Sequence, residues 1–408
     1  MTAWLPLALA LAVPSGPAAL TFDEAIGLAG EAPDVRGALR AVEVKRASRR
    51  RTSPIVANPQ LYLQPGYRVL ARDIRGFEIQ GAISQSWNLS GLSRARRASM
   101  ADEEELWQAE ARLVALGRSL AAARAWIDLW AAQQLLLEAR AEAGIAATFT
   151  ATVERAQALS AATMADVADA RAYRSDADLL VLAVEGEVFH LGLLLARETG
   201  RLTGEPLAAA GDLPAPEIPP ADAAAALDRA ERLPEVATRA IAGKVAQAHA
   251  VEIRAAHGVG LMTGIYVQRD QPGGLVPYAM LGVTLPAFNR GERERGEALA
   301  AAERLAGEAE QARVAARVDV AMAIHEVEHT RKILAELEER LVPSLGESVS
   351  ARERLFSAGH ATVVEVLLAR RQAIQARARR HRVAADHAWA RVKLWLLLAT
   401  IENHGGRG

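Results

Sequence analysis

The chain has 408 residues, a formal net charge of −1 and no cysteine. This composition rules out disulfides, thiolate metal sites and an acylated N-terminal cysteine, and it provides no overall field to attract nucleic acid. Aromatic residues make up only 4%, which suits close-packed helices better than a bulky core. The longest unbroken apolar runs, Ala3–Val13 and Leu394–Ile401, fall short of the roughly 18–20 residues of a spanning helix, so a membrane crossing would need a barrel.

Residues 1–19 read as a secretory signal peptide: an apolar run, a Pro14-Ser15-Gly16 break, then small residues up to Ala19, without the usual early Lys or Arg. The first half, 20–203, opens with a helical pattern from Phe22 to about Arg51, interrupted at Pro33. Ala57-Asn58-Pro59-Gln60-Leu61 ends it, because the residue before a proline avoids the helical region. A β-hairpin is expected over 61–89. Leu61, Leu63, Tyr67 and Val69 alternate in its first strand, Arg72-Asp73 to Gly76 is the turn, and Phe77 to Leu89 returns. Phe77, Ile79, Ile83 and Trp87 share one parity, and Glu78, Gln80, Ser84, Ser86 and Asn88 the other. That is the period of a strand with one apolar, lipid-facing side and one wet side. Both strands are long enough for the roughly 9–11 tilted residues that cross a bilayer.

Long helices are expected over 93–202. From Ser93 to about Leu159 no proline occurs among good helix formers, which gives a helix on the order of 100 Å. Ser160–Thr163 breaks it, and a second helix runs back from Met164. Residues 204–220, with five prolines, form a linker.

The second half, 221–402, repeats the plan. A helix precedes a β-hairpin over 259–288, long helices fill 290–401 with a kink at Pro343 and a break at Gly359, and 403–408 is a tail. Ala279, Leu281, Val283 and Leu285 share one parity in this hairpin, and Tyr278 and Met280 share the other. The pattern leaves open which side meets lipid. An offset of 201 carries Pro33 to Pro234, Gly81 to Gly282 and Asn88 to Asn289. An offset of 199 carries Ser160 to Gly359, Thr163 to Thr362, Asp166 to Glu365 and Arg171 to Arg370. The chain therefore reads as a tandem repeat of a small sheet followed by a long helical hairpin.

Three stretches carry a family likeness: Ala57-Asn58-Pro59-Gln60-Leu61, Leu285-Pro286-Ala287-Phe288-Asn289-Arg290-Gly291, and Arg354-Leu355 with Gly359. In their order and duplication the chain resembles the TolC-type outer-membrane efflux proteins, in the heavy-metal and multidrug subgroup. The resemblance implies a mainly α fold with a small β part, namely long antiparallel helical hairpins plus four transmembrane β-strands per protomer. It also implies a homotrimer closing one α/β-barrel in the outer membrane and extending into the periplasm. Partners implied are a periplasmic adaptor (membrane fusion protein), an inner-membrane transporter such as an RND pump, and outer-membrane lipid. No cofactor and no catalysis are implied; the chain would be a passive export duct for small molecules or metal ions. Oligomerisation agrees with the strand count, since four strands cannot close around a channel and an open edge cannot face lipid.

Asp166 and Glu365 lie one turn past each hairpin tip. In a threefold assembly they would form carboxylate rings, a pore constriction; alone, each is an ordinary first-turn acid matched to the helix dipole. By resemblance, Ser160, Thr163, Arg354, Gly359 and Thr362 are adaptor contacts. His325-Glu326-Val327-Glu328-His329 matches HExxH, with Glu347 as an imaginable third ligand of a zinc hydrolase, but it sits in a long polar helix with no cleft. Basic clusters at Lys45–Arg51, Arg94–Arg97 and Arg290–Arg295 lack interleaved aromatics, so nucleic acid is not expected. They stand where strand meets helix, a place for anionic headgroups. The alternative from another class is a periplasmic coiled-coil scaffold whose strands pair only locally.

Overall fold

The structure, a computed structural model, describes residues 18–70, 74–201, 204–218, 220–270 and 274–405. The expected leader up to residue 17, Arg72, Asp73, Pro219, Pro272, Gly273 and the last three residues lie outside them. Two compact units form, and each draws on both halves of the sequence. One comprises residues up to Arg36, Val114–Ala230 and those from Arg317 on. The other comprises Gly37–Leu113 and Glu231–Ala316.

In order, the elements begin with β1 (Ala19–Leu20), α1 (Phe22–Gly30), α2 (Pro33–Arg51), β2 (Gln60–Leu70) and β3 (Ile74–Asn88). The long helices α3 (Leu92–Ala158) and α4 (Met164–Glu198) follow, then β4 (Ala208–Ala209). The second half holds α5 (Pro220–Arg229), α6 (Pro234–Ala256), β5 (Gly260–Asp270), β6 (Gly274–Thr284), α7 (Glu292–Glu336), α8 (Val342–Ser357) and α9 (Val363–Gly405). The last helix runs three residues into the stretch expected to be tail. Pro33 and Pro234 open helices, where a missing N–H costs nothing. Thr21 caps α1 reciprocally with Glu24.

The sheet has the antiparallel order β2-β3-β5-β6, so the two hairpins join through β3 and β5. Its register resolves the face of the second hairpin. Ile83 stands opposite Leu61 and Ile265, and Trp87 opposite Leu261. Ile265 in turn faces Ala279, and Leu261 faces Val283. Directly opposed residues project from the same side, so Ala279, Leu281 and Val283 share the apolar face of Ile83, and Tyr278 and Met280 lie on the other. Period counting failed there because Tyr278 and Met280 are apolar enough to blur the alternation. The join between hairpins tolerates no side chain at Gly264, where a Cβ would stand 2.6 Å from the Ile83 carbonyl oxygen.

Matching asparagines turn strand into helix. The Asn88 Oδ1 accepts from the Ser90 and Leu92 amides at 2.9 and 3.1 Å, and its side-chain amide donates to the Ala255 carbonyl at 2.8 Å. Asn289 Oδ1 accepts from the Gly291 amide at 2.9 Å. Gly91 and Gly291 follow with φ of 79° and 71°, a conformation that favours glycine.

The kink expected at Pro343 takes a specific form. Leu337–Leu341 make a π turn directly before the proline, which absorbs the hydrogen bond it cannot donate. The expected linker also does more than connect. β4 pairs in parallel with β1, and Leu207 is buried with Leu20, Trp126, Leu195 and Val392. Gly192 lets that segment lie against α4, since a Cβ would meet the Leu207 carbonyl oxygen at 2.6 Å. The Trp126 indole donates to the Leu20 carbonyl at 2.8 Å, and Phe22 packs edge-on to its ring. Trp130 donates to the Gly211 carbonyl at 3.0 Å.

By length and composition alone, α4 is apolar enough to cross a bilayer. It is not an unbroken apolar run, since Glu185 and Glu187 interrupt the stretch. Arg140 of α3 pairs with Glu185 at 2.7 Å, and Leu179, Leu182 and Phe189 remain exposed.

Candidate functional site

The residues singled out in the sequence lie in two places, the sheet and the hairpin tips. Phe77, Ile79, Ile83 and Trp87 all project from one side of β3 and are exposed. Leu61, Leu63, Tyr67, Val69, Ile265, Leu275, Leu281 and Val283 extend that surface across all four strands by register, and they too are exposed. Among the described residues, nothing covers this apolar surface. The opposite face carries Gln60, Gln64, Glu78, Gln80, Ser86 and Gln268 beside Tyr62, Tyr266 and Tyr278. Among the described residues, the outer strands β2 and β6 each pair on one side only, so the sheet ends in two open edges.

The tips are built twice from one design. The α3 helix ends where Ser160 takes φ 59°, with the Ser160 amide donating to the Gln157 carbonyl and the Ala161 amide to the Ala156 carbonyl, each at 2.8 Å. The α8 helix ends where Gly359 takes φ 76°, its amide donating to the Phe356 carbonyl at 2.9 Å and the His360 amide to the Leu355 carbonyl at 2.8 Å. This is the six-to-one plus five-to-two helix stop. Three residues on, Thr163 and Thr362 start the return helices. The Thr163 amide and hydroxyl donate to the Asp166 carboxylate at 2.8 and 2.7 Å, and the Asp166 amide donates back to the Thr163 hydroxyl at 3.1 Å. Thr362 and Glu365 repeat the exchange at 2.7, 2.9 and 3.3 Å. Hydrogen bonds from Thr163 pull Asp166 below the usual carboxylate range, and those from Thr362 do the same to Glu365. Both acids thus have a local capping duty in each chain. Arg354 lies in the last turn of α8, its carbonyl accepting from the Ala358 amide at 3.1 Å.

Behind the tips lies a polar network that sequence reasoning missed. Arg171 pairs with Glu154 at 2.8 Å, and Arg370 pairs with Glu353, the same partners in each hairpin. The first pair is solvated. The second is drawn inward, where Arg370 also reaches the buried Glu142 at 3.4 Å and the Tyr173 hydroxyl donates to Glu142 at 2.5 Å. Burial, then the Glu142 carboxylate, push the Tyr173 phenol well above its ordinary pKa. The matching Arg–Glu spacing was a readable signal; the inequality of the two environments was not.

The HExxH residues lie on an open helix face. His325 and His329 stack with ring centroids 5.5 Å apart on an exposed face, and Glu328 pairs with Lys332 at 2.7 Å. Among the described residues no three potential ligands converge, Glu347 included.

No protein-family model matches the chain, and no curated protein matches it. Solved structures do. The Campylobacter jejuni CmeC outer membrane channel aligns with a TM-score of 0.75 at 13% identity, covering 93% of this chain and 85% of that one. The outer membrane protein VceC of Vibrio cholerae aligns at 0.72 and 15%, covering 92% and 95%. CusC, whose structures describe folding and transmembrane channel formation, aligns at 0.72 and 17%, covering 95% of each. At such identities the likeness speaks for the fold, and the fold is that of the TolC-type outer-membrane channels.

Proposed function

We propose that this chain is the outer-membrane channel of a tripartite efflux system, a passive trimeric duct for small molecules or metal ions. The observation that carries the reading is the four-stranded sheet, with a largely apolar, exposed face and, among the described residues, no pairing at either edge. In lipid the open edges of one copy must be completed by others. Three copies give twelve strands, an even closed set with a lumen. The exposed rows Leu179, Leu182 and Phe189 on α4 and Val314, Val318 and Met322 on α7 supply further surface for copies to meet. In this reading Phe77, Ile79, Ile83 and Trp87 face lipid, and the chain is a tandem duplication behind a cleaved leader.

The tips would meet a periplasmic adaptor through Ser160, Thr163, Arg354, Gly359 and Thr362, with an inner-membrane transporter supplying the energy. Asp166 and Glu365 would line the pore mouth. Their capping bonds leave each carboxylate its negative charge, so one residue can serve both duties. Fractionation of expressing cells tests the proposal. Recovery in the outer membrane as heat-sensitive trimers, with stepwise conductance in planar bilayers, is the expected result. A soluble periplasmic monomer would instead identify a coiled-coil scaffold.

A further inference from the structure

The arginines near the sheet are unequally partnered. On α2, Lys45 pairs with Glu103 at 3.0 Å, and the buried Glu104 takes both Arg46 and Arg49, at 2.8 and 3.0 Å. On α3, Arg96 pairs with Glu252 of α6 at 2.9 Å. At the start of α7, Glu292 and Glu294 sit in the first turn and Arg293 pairs with Glu297 at 3.1 Å, so the Arg290–Arg295 cluster is balanced locally. Arg50, Arg51, Arg94, Arg97 and Arg254 remain. All five are exposed, and none makes an ion pair among the described residues.

They lie at the sheet-proximal ends of their helices. Arg50 and Arg51 end α2, whose chain enters the sheet at Gln60. Arg94 and Arg97 fall in the first two turns of α3, which leaves the sheet after Asn88. Arg254 is in the last turn of α6, and Asn88 holds the neighbouring Ala255 carbonyl at 2.8 Å. The first turn of α3 holds no acid, so Arg94 and Arg97 add positive charge to the positive end of a helix dipole. Among the described residues, Glu252 reaches the start of α3 but is taken up by Arg96, Glu104 is already held by Arg46 and Arg49, and Glu43 and Asp102 lie farther along their helices from the sheet. Just above the band, Trp87 ends the apolar face, its indole donating to the Thr263 hydroxyl at 2.9 Å. Apolar strand, aromatic and cation in that order are the layers of a bilayer interface.

Resting on the channel reading, we propose that Arg50, Arg51, Arg94, Arg97 and Arg254 form a binding band for the phosphates of anionic lipid headgroups on the helical side of the sheet. The guanidinium fork suits phosphate oxygens, and the lipid supplies the negative charge that the first turn of α3 lacks. The band would hold the barrel at a fixed depth.

Full-length protein refolded into vesicles of phosphatidylcholine alone, or with 30% phosphatidylglycerol, tests this. At low salt the wild type should partition at least about tenfold more strongly into the anionic vesicles, given roughly fivefold per arginine near such a surface. The preference should vanish in 0.5 M NaCl. It should also vanish in the variant carrying Arg→Gln at all five positions, and fall in R94Q/R97Q alone, with partition into neutral vesicles unchanged. Millimolar inorganic phosphate should leave the preference in place; its abolition would assign the band to free phosphate instead. Equal partition of the wild type into both vesicles, or a preference that survives salt, overturns the lipid band alone. No insertion into either vesicle overturns the channel reading, and the band with it.

Discussion

Ser160 and Gly359 occupy the same place in the two hairpins, with φ of 59° and 76°. Only one of them is the residue that conformation favours. A side chain in the left-handed region crowds its own backbone, by about 1–2 kcal/mol for an ordinary residue. Ser160→Gly should therefore stabilise the first tip by about 0.5–1 kcal/mol, and Gly359→Val should cost about 1–2 kcal/mol at the second. Thermal unfolding of the two variants, read against the wild type, should shift in opposite directions.

Asp166 and Glu365 have folded-state pKa values below their ordinary ones, held there by Thr163 and Thr362. Their contribution to stability is complete above the ordinary carboxylate pKa, near 4. It is lost as pH falls through the lowered folded values. Asp166→Asn with Glu365→Gln should thus narrow the gap in melting temperature between pH 7 and pH 3. An unchanged gap would mean that these capping bonds contribute nothing. If the pore proposal also holds, the same double variant should lose cation preference in single-channel recordings at pH 7.

The buried Glu142 depends on two donors from different hairpins, Tyr173 and Arg370. Tyr173→Phe removes one hydrogen bond to a charged, buried acceptor and should cost about 1–3 kcal/mol. Arg370→Met leaves Glu142 without its cation and should cost about 3–5 kcal/mol. Adding Glu142→Gln to Arg370→Met should recover much of that loss. Denaturant unfolding of the three variants checks the order, and a double variant no better than Arg370→Met would refute the pairing.

Gly264 stands where β5 meets β3, with no room for a Cβ beside the Ile83 carbonyl oxygen and Ser84. Gly264→Val should force the hairpins apart, at a cost of about 1–3 kcal/mol. Gly274→Ala, at a glycine with open space around it, should be tolerated. Heat-sensitive assembly on unheated gels should be lost for the first and kept for the second.

Much of the fold was legible because its signals are local. Strand parity from Phe77 to Trp87, the prolines that open α2 and α6, and the Thr–acid pairs that start α4 and α9 depend on neighbours a few residues away. The features that escaped depend on distant partners. The pairing of Ala19 with Ala208, the burial of Leu207 and the unequal fates of Arg171 and Arg370 are set by packing that no period records. The face of the second hairpin fell between these cases. Its own residues are ambiguous, and only the register with Ile83 decides it.

The π turn at Leu337–Leu341 places an extra residue in one turn of helix. Everything after it is rotated by about 100° from where an unbroken α-helix would put it. The turn thus carries one residue more than an α-helix would use, and Pro343, which has no N–H to give, stands where the α pattern resumes. A one-residue deletion there, combined with replacement of the proline, is the length change this helix is best placed to absorb.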